Sequence, residues 1–382
     1  MYNKSYSLLT ITEETFQDPS STSANVSPEQ SSTDCQNTLS DYQSELIPAL
    51  CGIIFIIGFI GNGLVITVLC LHNGRKTVAN VYILNLAIAD FLFLVTLPLW
   101  ATYYAFGFNW LFGLMMCKIS SSLLCVNLFA SIFFITCMSM DRYLAIVHPF
   151  QSQRRTVQQA YFIAFAIWGL ASLFSFPTLF FRDIQRIESL GVSACIMSFP
   201  REQYSKWCAG MALIKNVLGF LMPLIVIVYC YFRIGLHLWK SQGPWPIKLK
   251  RDKSLKMVAA VVLAFIICWL PFHILTFLDA LTWLNIVNDC RVMTVIDALM
   301  PFVFCIGFAN SCVNPLLYCF VGNQFREKFK HLFKLMPAHF VSSRLSSSSR
   351  KESGPRETVR AGSPEEGRAR LMNEYCFQME RK

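Results

Sequence analysis

The stretch LMMCKISSSLLCVNLFASIFFITCMSMDRYLAIV, residues 114–147, decides the fold. From Ile119 to Met140 it carries no charged side chain, and a bilayer core takes about 20 mostly apolar residues per helix. The run then stops at Asp141-Arg142-Tyr143, where charge returns. Working outward, six further apolar stretches of similar length lie at 46–71, 78–105, 158–181, 204–239, 254–284 and 293–319. The expected fold class is therefore an all-α membrane protein with seven transmembrane helices, occupying residues 46–320. Composition agrees, since the 382 residues are 54% hydrophobic and 15% charged, a balance that a water-soluble chain of this length could not bury.

The formal net charge of +10 raises nucleic acid as a partner, but its distribution argues against that. Arg75 and Lys76, Arg154 and Arg155, Lys240 to Lys256 and Arg326 to Lys334 fall in alternate connections, whereas Glu13, Glu14, Asp18, Glu29, Asp34, Asp41 and Glu45 precede the first span. The positive-inside tendency then places the N-terminus outside and the C-terminus inside, as an odd number of spans requires. Residues 1–45 read as a polar extracellular tail lacking the apolar run of a signal peptide, so the first span is expected to act as the signal anchor. The tail carries two sequons, Asn3-Lys4-Ser5 and Asn25-Val26-Ser27, the second weakened by Pro28. Residues 321–336 set Phe325, Phe329, Leu332, Phe333 and Met336 on one helical face, as a short amphipathic cytoplasmic helix would. Residues 337–382 are rich in Ser, Arg and Glu and read as a disordered cytoplasmic tail. Of 15 cysteines, most lie in apolar spans as small packing residues. Cys35, Cys117, Cys195 and Cys290 lie on the oxidising side, an even number that permits two bridges.

Ionisable and amide groups inside an apolar span need a partner or a function. Asp90 lies in the second span, Asn127 and Ser131 are one turn apart on the third, and Asn310 and Asn314 one turn apart on the seventh. Convergence of these faces would make either a small hydrated cation site or a polar network that glues helices, and spacing leaves both open. Asp141 can hold Arg142 locally until a switch releases it. Pro315 in Asn314-Pro315-Leu316-Leu317-Tyr318 and Pro271 in Cys268-Trp269-Leu270-Pro271 each weaken a helical turn. Phe265, Trp269, Phe272 and Asp279 form one stripe from mid-membrane to the outer mouth.

In this order and on these sides, Asn62, Asp90, Arg142, Trp168, Pro223, Pro271 and Pro315 resemble the marker residues of the rhodopsin-like G protein-coupled receptors, over roughly residues 40–335. The resemblance implies a Cys117 to Cys195 bridge, and a core switch of Ile132, Pro223 and Phe265 beneath Trp269. It also implies that Asp141, Arg142 and Tyr143 rearrange with Tyr231 and Tyr318 when the inner face opens. It favours sodium as the cation at Asp90, Asn127, Ser131, Asn310 and Asn314, with no other cofactor. The third span lacks the acid that amine receptors use, and the seventh lacks the Lys of opsins, so neither ligand class is expected.

The outer half carries Lys215 about two turns inside the fifth span, Arg182 in the second outer loop, Asp279 and Asp297 at the mouth, and Trp100, Tyr103 and Tyr104 on one helical face. A deep cation, an acidic rim and an aromatic wall suit an extended peptide, although a snorkelling Lys215 with solvated acids is the plainer alternative. The runs Leu97 to Tyr104, Phe181-Arg182-Asp183, Ser189 to Val192 and Thr276 to Leu281 resemble the angiotensin II receptors within that family. This second resemblance implies an angiotensin II-like peptide ligand in a pocket also lined by Leu124, Leu128, Trp269 and Phe272, a Cys35 to Cys290 bridge, and a heterotrimeric G protein or other intracellular transducer as partner. A plasma-membrane location is implied, with lipid around the spans. A transporter is the competing class, but no internal repeat or paired broken helix is visible. No catalytic or metal motif such as His-Glu-x-x-His occurs, so no enzyme is expected.

Overall fold

A computed structural model describes residues 42–71, 77–188, 191–240 and 253–321, apart from the side chains of 42, 43, 253, 254 and 319–321. Seven of its helices are long and apolar enough to cross a membrane. The first four spans are Tyr42–Leu71, Val78–Ala105, Gly113–Val147 and Val157–Phe181. The fifth runs over Arg201–Lys240; the sixth and seventh are Lys253–Trp283 and Cys290–Val321. Each expected apolar stretch is thus a helix, with its ends within a few residues of those expected. The sequons at Asn3 and Asn25, Cys35, the amphipathic segment beyond residue 321 and the tail at 337–382 lie outside the described residues.

Helix starts follow from capping chemistry. Thr77 accepts a hydrogen bond from the Asn80 backbone N–H, 3.2 Å. Thr156 and Gln159 exchange a reciprocal pair that opens the fourth span. The fifth span is interrupted by a π-helical turn at Val217–Leu221, between α-helical Tyr204–Asn216 and Met222–Lys240. Pro223 accounts for it, because a proline ring clashes with the carbonyl four residues earlier, here Gly219, and a widened turn relieves that clash. Antiparallel strands β1 (Arg182–Ile187) and β2 (Val192–Met197) pair with Arg182 opposite Met197 and Ile187 opposite Val192. This hairpin is a departure from the purely helical expectation.

Polar links between spans fix their order. Asn62 on the first donates to the Ser311 carbonyl on the seventh, 2.7 Å. The Trp168 indole on the fourth donates to Asn85 Oδ1 on the second, 2.9 Å. Asn216 on the fifth donates to Thr276 Oγ1 on the sixth, 3.1 Å. The first and seventh spans meet so closely that a Cβ on Gly61 would stand 2.9 Å from Pro315 Cβ. Large apolar side chains such as Ile56, Phe162, Phe165, Phe176, Phe232 and Ile267 face outward. Exposed apolar surface on every span is what lipid, rather than water, accommodates.

Candidate functional site

At one end of the bundle, the third span and the hairpin are joined by a Cys117–Cys195 disulfide. Arg182, the first residue of β1, is thereby held over the bundle and is only 8% exposed. Its Nε donates to Ser121 Oγ on the third span, 2.8 Å, and its guanidinium lies 5.8 Å from the Trp100 ring centroid. Trp100 packs edge-on to Tyr103 at 5.9 Å, and Tyr103 to Tyr104 at 6.1 Å. These three aromatics are buried with Trp110, and half-buried Leu124 packs on the same cluster. They back the Arg182 cation rather than standing open as a wall.

Across the same end, Asp279 on the sixth span is buried. The Trp283 indole donates to its Oδ2, 3.2 Å, while Oδ1 has no hydrogen-bond partner among the described residues. Lys215 and Asp297 are half-buried on the fifth and seventh spans. Directly after Lys215, Asn216 Oδ1 contacts His273 Nδ1, 3.2 Å. His273 stacks on Phe220 of the π turn at 4.5 Å. A widened turn beside polar side chains is a frequent functional feature.

Beneath this lies an aromatic column. Trp269 meets Phe272 at 5.5 Å and Phe265 at 6.3 Å, and Phe265 stacks on Phe220, also at 6.3 Å. Leu128 and Ile132 on the third span are buried, as is Pro223 on the fifth. Lower still, Asp90 is fully buried and accepts four hydrogen bonds. They come from Asn127 Nδ2 at 2.9 Å, Ser131 Oγ at 3.4 Å, Ser311 Oγ at 2.8 Å and Asn314 Nδ2 at 2.9 Å. The second, third and seventh spans therefore converge on one carboxylate. Asn310 does not donate to it among the described hydrogen bonds, and Ser311 takes that place. The buried Oδ1 atoms of Asn62, Asn310 and Asn314 lack partners among the described residues. Asn314, which donates to Asp90 and keeps its Oδ1 unmatched, offers with the carboxylate the kind of acceptors that a small oxygen-ligated cation needs.

At the other end, Asp141 holds two arginines. Arg142 donates to Oδ2 through Nε at 3.2 Å and also through Nη2. Arg155 Nη1 donates to Oδ1, 3.1 Å. Tyr143 contacts His148 Nε2 through its hydroxyl, 3.1 Å. Tyr231 is half-buried, Tyr318 is fully buried, and Pro315 is buried within the seventh span.

The structure adds Ser121, Ser311, Asn216 and Arg155 to the residues picked from sequence. Ser311 was within reach of helical spacing, being three residues before Asn314. Ser121 and Arg155 make contacts at sequence separations of 61 and 14, which local patterns do not reveal. Cys290 is disulfide-bonded, and Cys35, its expected partner, lies outside the described residues.

Residues 61–318 match the family described as 7 transmembrane receptor (rhodopsin family). The chain is 54% identical to the type-2 angiotensin II receptor of Homo sapiens over 328 residues, 86% of this chain and 90% of that one. It is 52% identical to the type-2 angiotensin II receptor of Ovis aries over 333 residues, 87% and 92% of the two. With the type-1 angiotensin II receptor of Sus scrofa it shares 43% over 298 residues, 78% and 83%. Seven converging spans, the buried Asp90 cluster and these likenesses together mean that the chain belongs to the rhodopsin family of seven-transmembrane receptors, in the branch formed by the angiotensin II receptors.

Proposed function

We propose that this chain is a cell-surface receptor for a short peptide hormone of the angiotensin II class. Its output is a rearranged Arg142 end, offered to a heterotrimeric G protein or another intracellular transducer. The carrying observation is the presence, at one end of the bundle, of both a positioned cation and an under-satisfied carboxylate: Arg182 on Ser121 and Trp100, and Asp279 with one oxygen unmatched among the described residues. A peptide with a carboxylate at one end and a guanidinium near the other complements that pair. The likeness to type-2 and type-1 angiotensin II receptors supports the same ligand. In this reading the N-terminus is outside, Lys215 takes the peptide carboxylate with help from Arg182, and Asp279 and Asp297 take its basic residue. The proposed bridge from Cys35 to Cys290 tethers the tail, and Asn3 and Asn25 are its glycosylation positions.

Ligand at Lys215 and Asp279 bears on the fifth and sixth spans, which meet through Asn216, His273 and Phe220. The aromatic column from Phe272 through Trp269 to Phe265 carries that load to Ile132 and Pro223. Asp90, Asn127, Ser131, Asn310 and Asn314, with Ser311 beside them, are the residues that would hold a sodium ion, whose charge would offset the buried carboxylate and favour the resting arrangement. Displacement of the inner ends then draws Arg142 from Asp141, with Tyr231 and Tyr318 following. Binding of radiolabelled angiotensin II to membranes bearing this chain tests the reading. Saturable binding displaced by unlabelled peptide is expected, and its absence at normal surface expression would overturn the assignment.

A further inference from the structure

Asp141 is 5% exposed, yet it has two cationic partners rather than one. The second, Arg155, lies beyond the short helix Pro149–Gln153 and immediately before the Thr156 cap of the fourth span. Its backbone N–H donates to the Ser152 carbonyl, 3.2 Å. Its guanidinium forks: Nη1 reaches Asp141 Oδ1 at 3.1 Å, and Nη2 donates to the Tyr82 hydroxyl at 3.2 Å. Tyr82, on the second span, is fully buried with its ring 6.5 Å from Phe134. One side chain thus ties the second span, the end of the third and the start of the fourth. It meets Asp141 Oδ1, whereas Arg142 Nε and Nη2 donate to Oδ2.

We infer that Arg155 is the standing counter-charge of Asp141, and therefore the residue that lets Arg142 leave. The inference rests on the proposed release of Arg142. A buried carboxylate stripped of its one cation is strongly disfavoured. If Arg142 were the only partner, its departure would expose that penalty and the resting state would be locked. With Arg155 in place, Asp141 stays paired and hydrogen-bonded after Arg142 swings out. Sharing also weakens the initial hold, because each guanidinium meets a carboxylate already partly neutralised. Both effects have the same sign. Arg155 lowers the cost of opening, and it acts through Asp141 as a positioning residue, without touching peptide.

Fluorine NMR on the full chain in lipid nanodiscs tests this without any transducer. Trifluoromethyl-phenylalanine placed at Lys256, on the inner end of the sixth span, reports packed and displaced positions of that helix. With peptide bound, Arg155→Gln is expected to lower the displaced-to-packed ratio by about tenfold, within the usual range of intramolecular couplings. Arg155→Lys, which keeps charge but loses the fork to Tyr82, falls between and controls for folding. In an Asp141→Asn background, where no charge needs covering, Arg155→Gln is expected to change the ratio less than about twofold. A raised ratio in Arg155→Gln, or an equal loss in both backgrounds, would overturn the inference while leaving two-state switching intact. A wild-type chain with one resonance at all peptide concentrations would instead sink the release of Arg142, and this inference with it.

Discussion

Ser121 is not itself expected to meet the peptide but holds Arg182, which is, so Ser121→Ala tests what positioning is worth. The bond it removes is a 2.8 Å contact from the Arg182 Nε, within a buried setting. A hydrogen bond to a charged group contributes roughly 1.5 to 3 kcal/mol when lost outright. Here the loss is smaller, because Trp100 still lies 5.8 Å from the guanidinium and the Cys117–Cys195 disulfide still holds the hairpin. What is surrendered is the fixed rotamer, which the ligand must then restore at about 0.5 to 1.5 kcal/mol for a long side chain. The expected result is a roughly two- to tenfold weaker affinity for a peptide with a free C-terminal carboxylate. Competition binding on membranes should be run with that peptide and its C-terminal amide, which lacks the negative charge Arg182 serves. The amide analogue should lose less than about twofold, within the scatter of independent sites. Equal losses for both peptides would refute the reasoning, since Ser121 would then be shaping the pocket rather than orienting a cation.

Lys215→Ala and Lys215→Gln should each cost several kcal/mol of affinity for the same carboxylate peptide, because the partner charge is left unpaired; full affinity at normal surface expression would place the peptide terminus elsewhere. Asp279→Asn and Asp297→Asn should each show coupling on the order of 1 kcal/mol to the basic residue of the peptide in double-mutant cycles with an Arg-to-Ala analogue. Coupling near zero for both would make them bystanders. Gly61→Ala should lower thermal stability by about 1 to 3 kcal/mol through its clash with the rigid Pro315 ring, whereas Gly52→Ala, with nothing within 4 Å among the described residues, should be neutral or gain up to about 1 kcal/mol. A thiol-reactive dye that reports exposure of the buried Cys51, Cys125 and Cys305 would follow both melts, and identical curves would contradict the close approach.

Much of this architecture is legible without coordinates, because lipid imposes length and apolarity on every span. The third span is the clearest case, from Ile119 to Met140 without a charge. The π turn is not legible: Val-Leu-Gly-Phe-Leu at 217–221 has the apolar pattern of an ordinary helix, and only the strain from Pro223 selects the wider turn. The hairpin escapes for a different reason, since strands of six residues with mixed burial carry little periodicity. At the Asp90 cluster the convergence of spans is readable from Asn127, Ser131 and Asn314. The choice between Asn310 and its neighbour Ser311 is not, because adjacent residues sit about 100° apart on a helix and the local rotation of the seventh span decides which faces inward. Arg155 reads as one more basic residue of an inner connection until its fork is seen to join two spans.

The β1–β2 hairpin has a mechanical consequence. It continues the fourth span through Arg182, is stapled to the third through Cys195, and meets the connection before the third span twice. There Trp110 N–H donates to the Ser193 carbonyl at 2.7 Å, and Ser193 N–H donates to Asn109 Oδ1 at 3.0 Å. A plate clamped along three edges does not flap; it transmits torque. A load applied to Gln185 or Arg186, on the exposed stretch of β1, is delivered to Cys117 at the head of the third span instead of being lost in a slack loop. An antibody fragment gripping that stretch would therefore act as a handle on the third span, the same rod whose far tip carries Arg142.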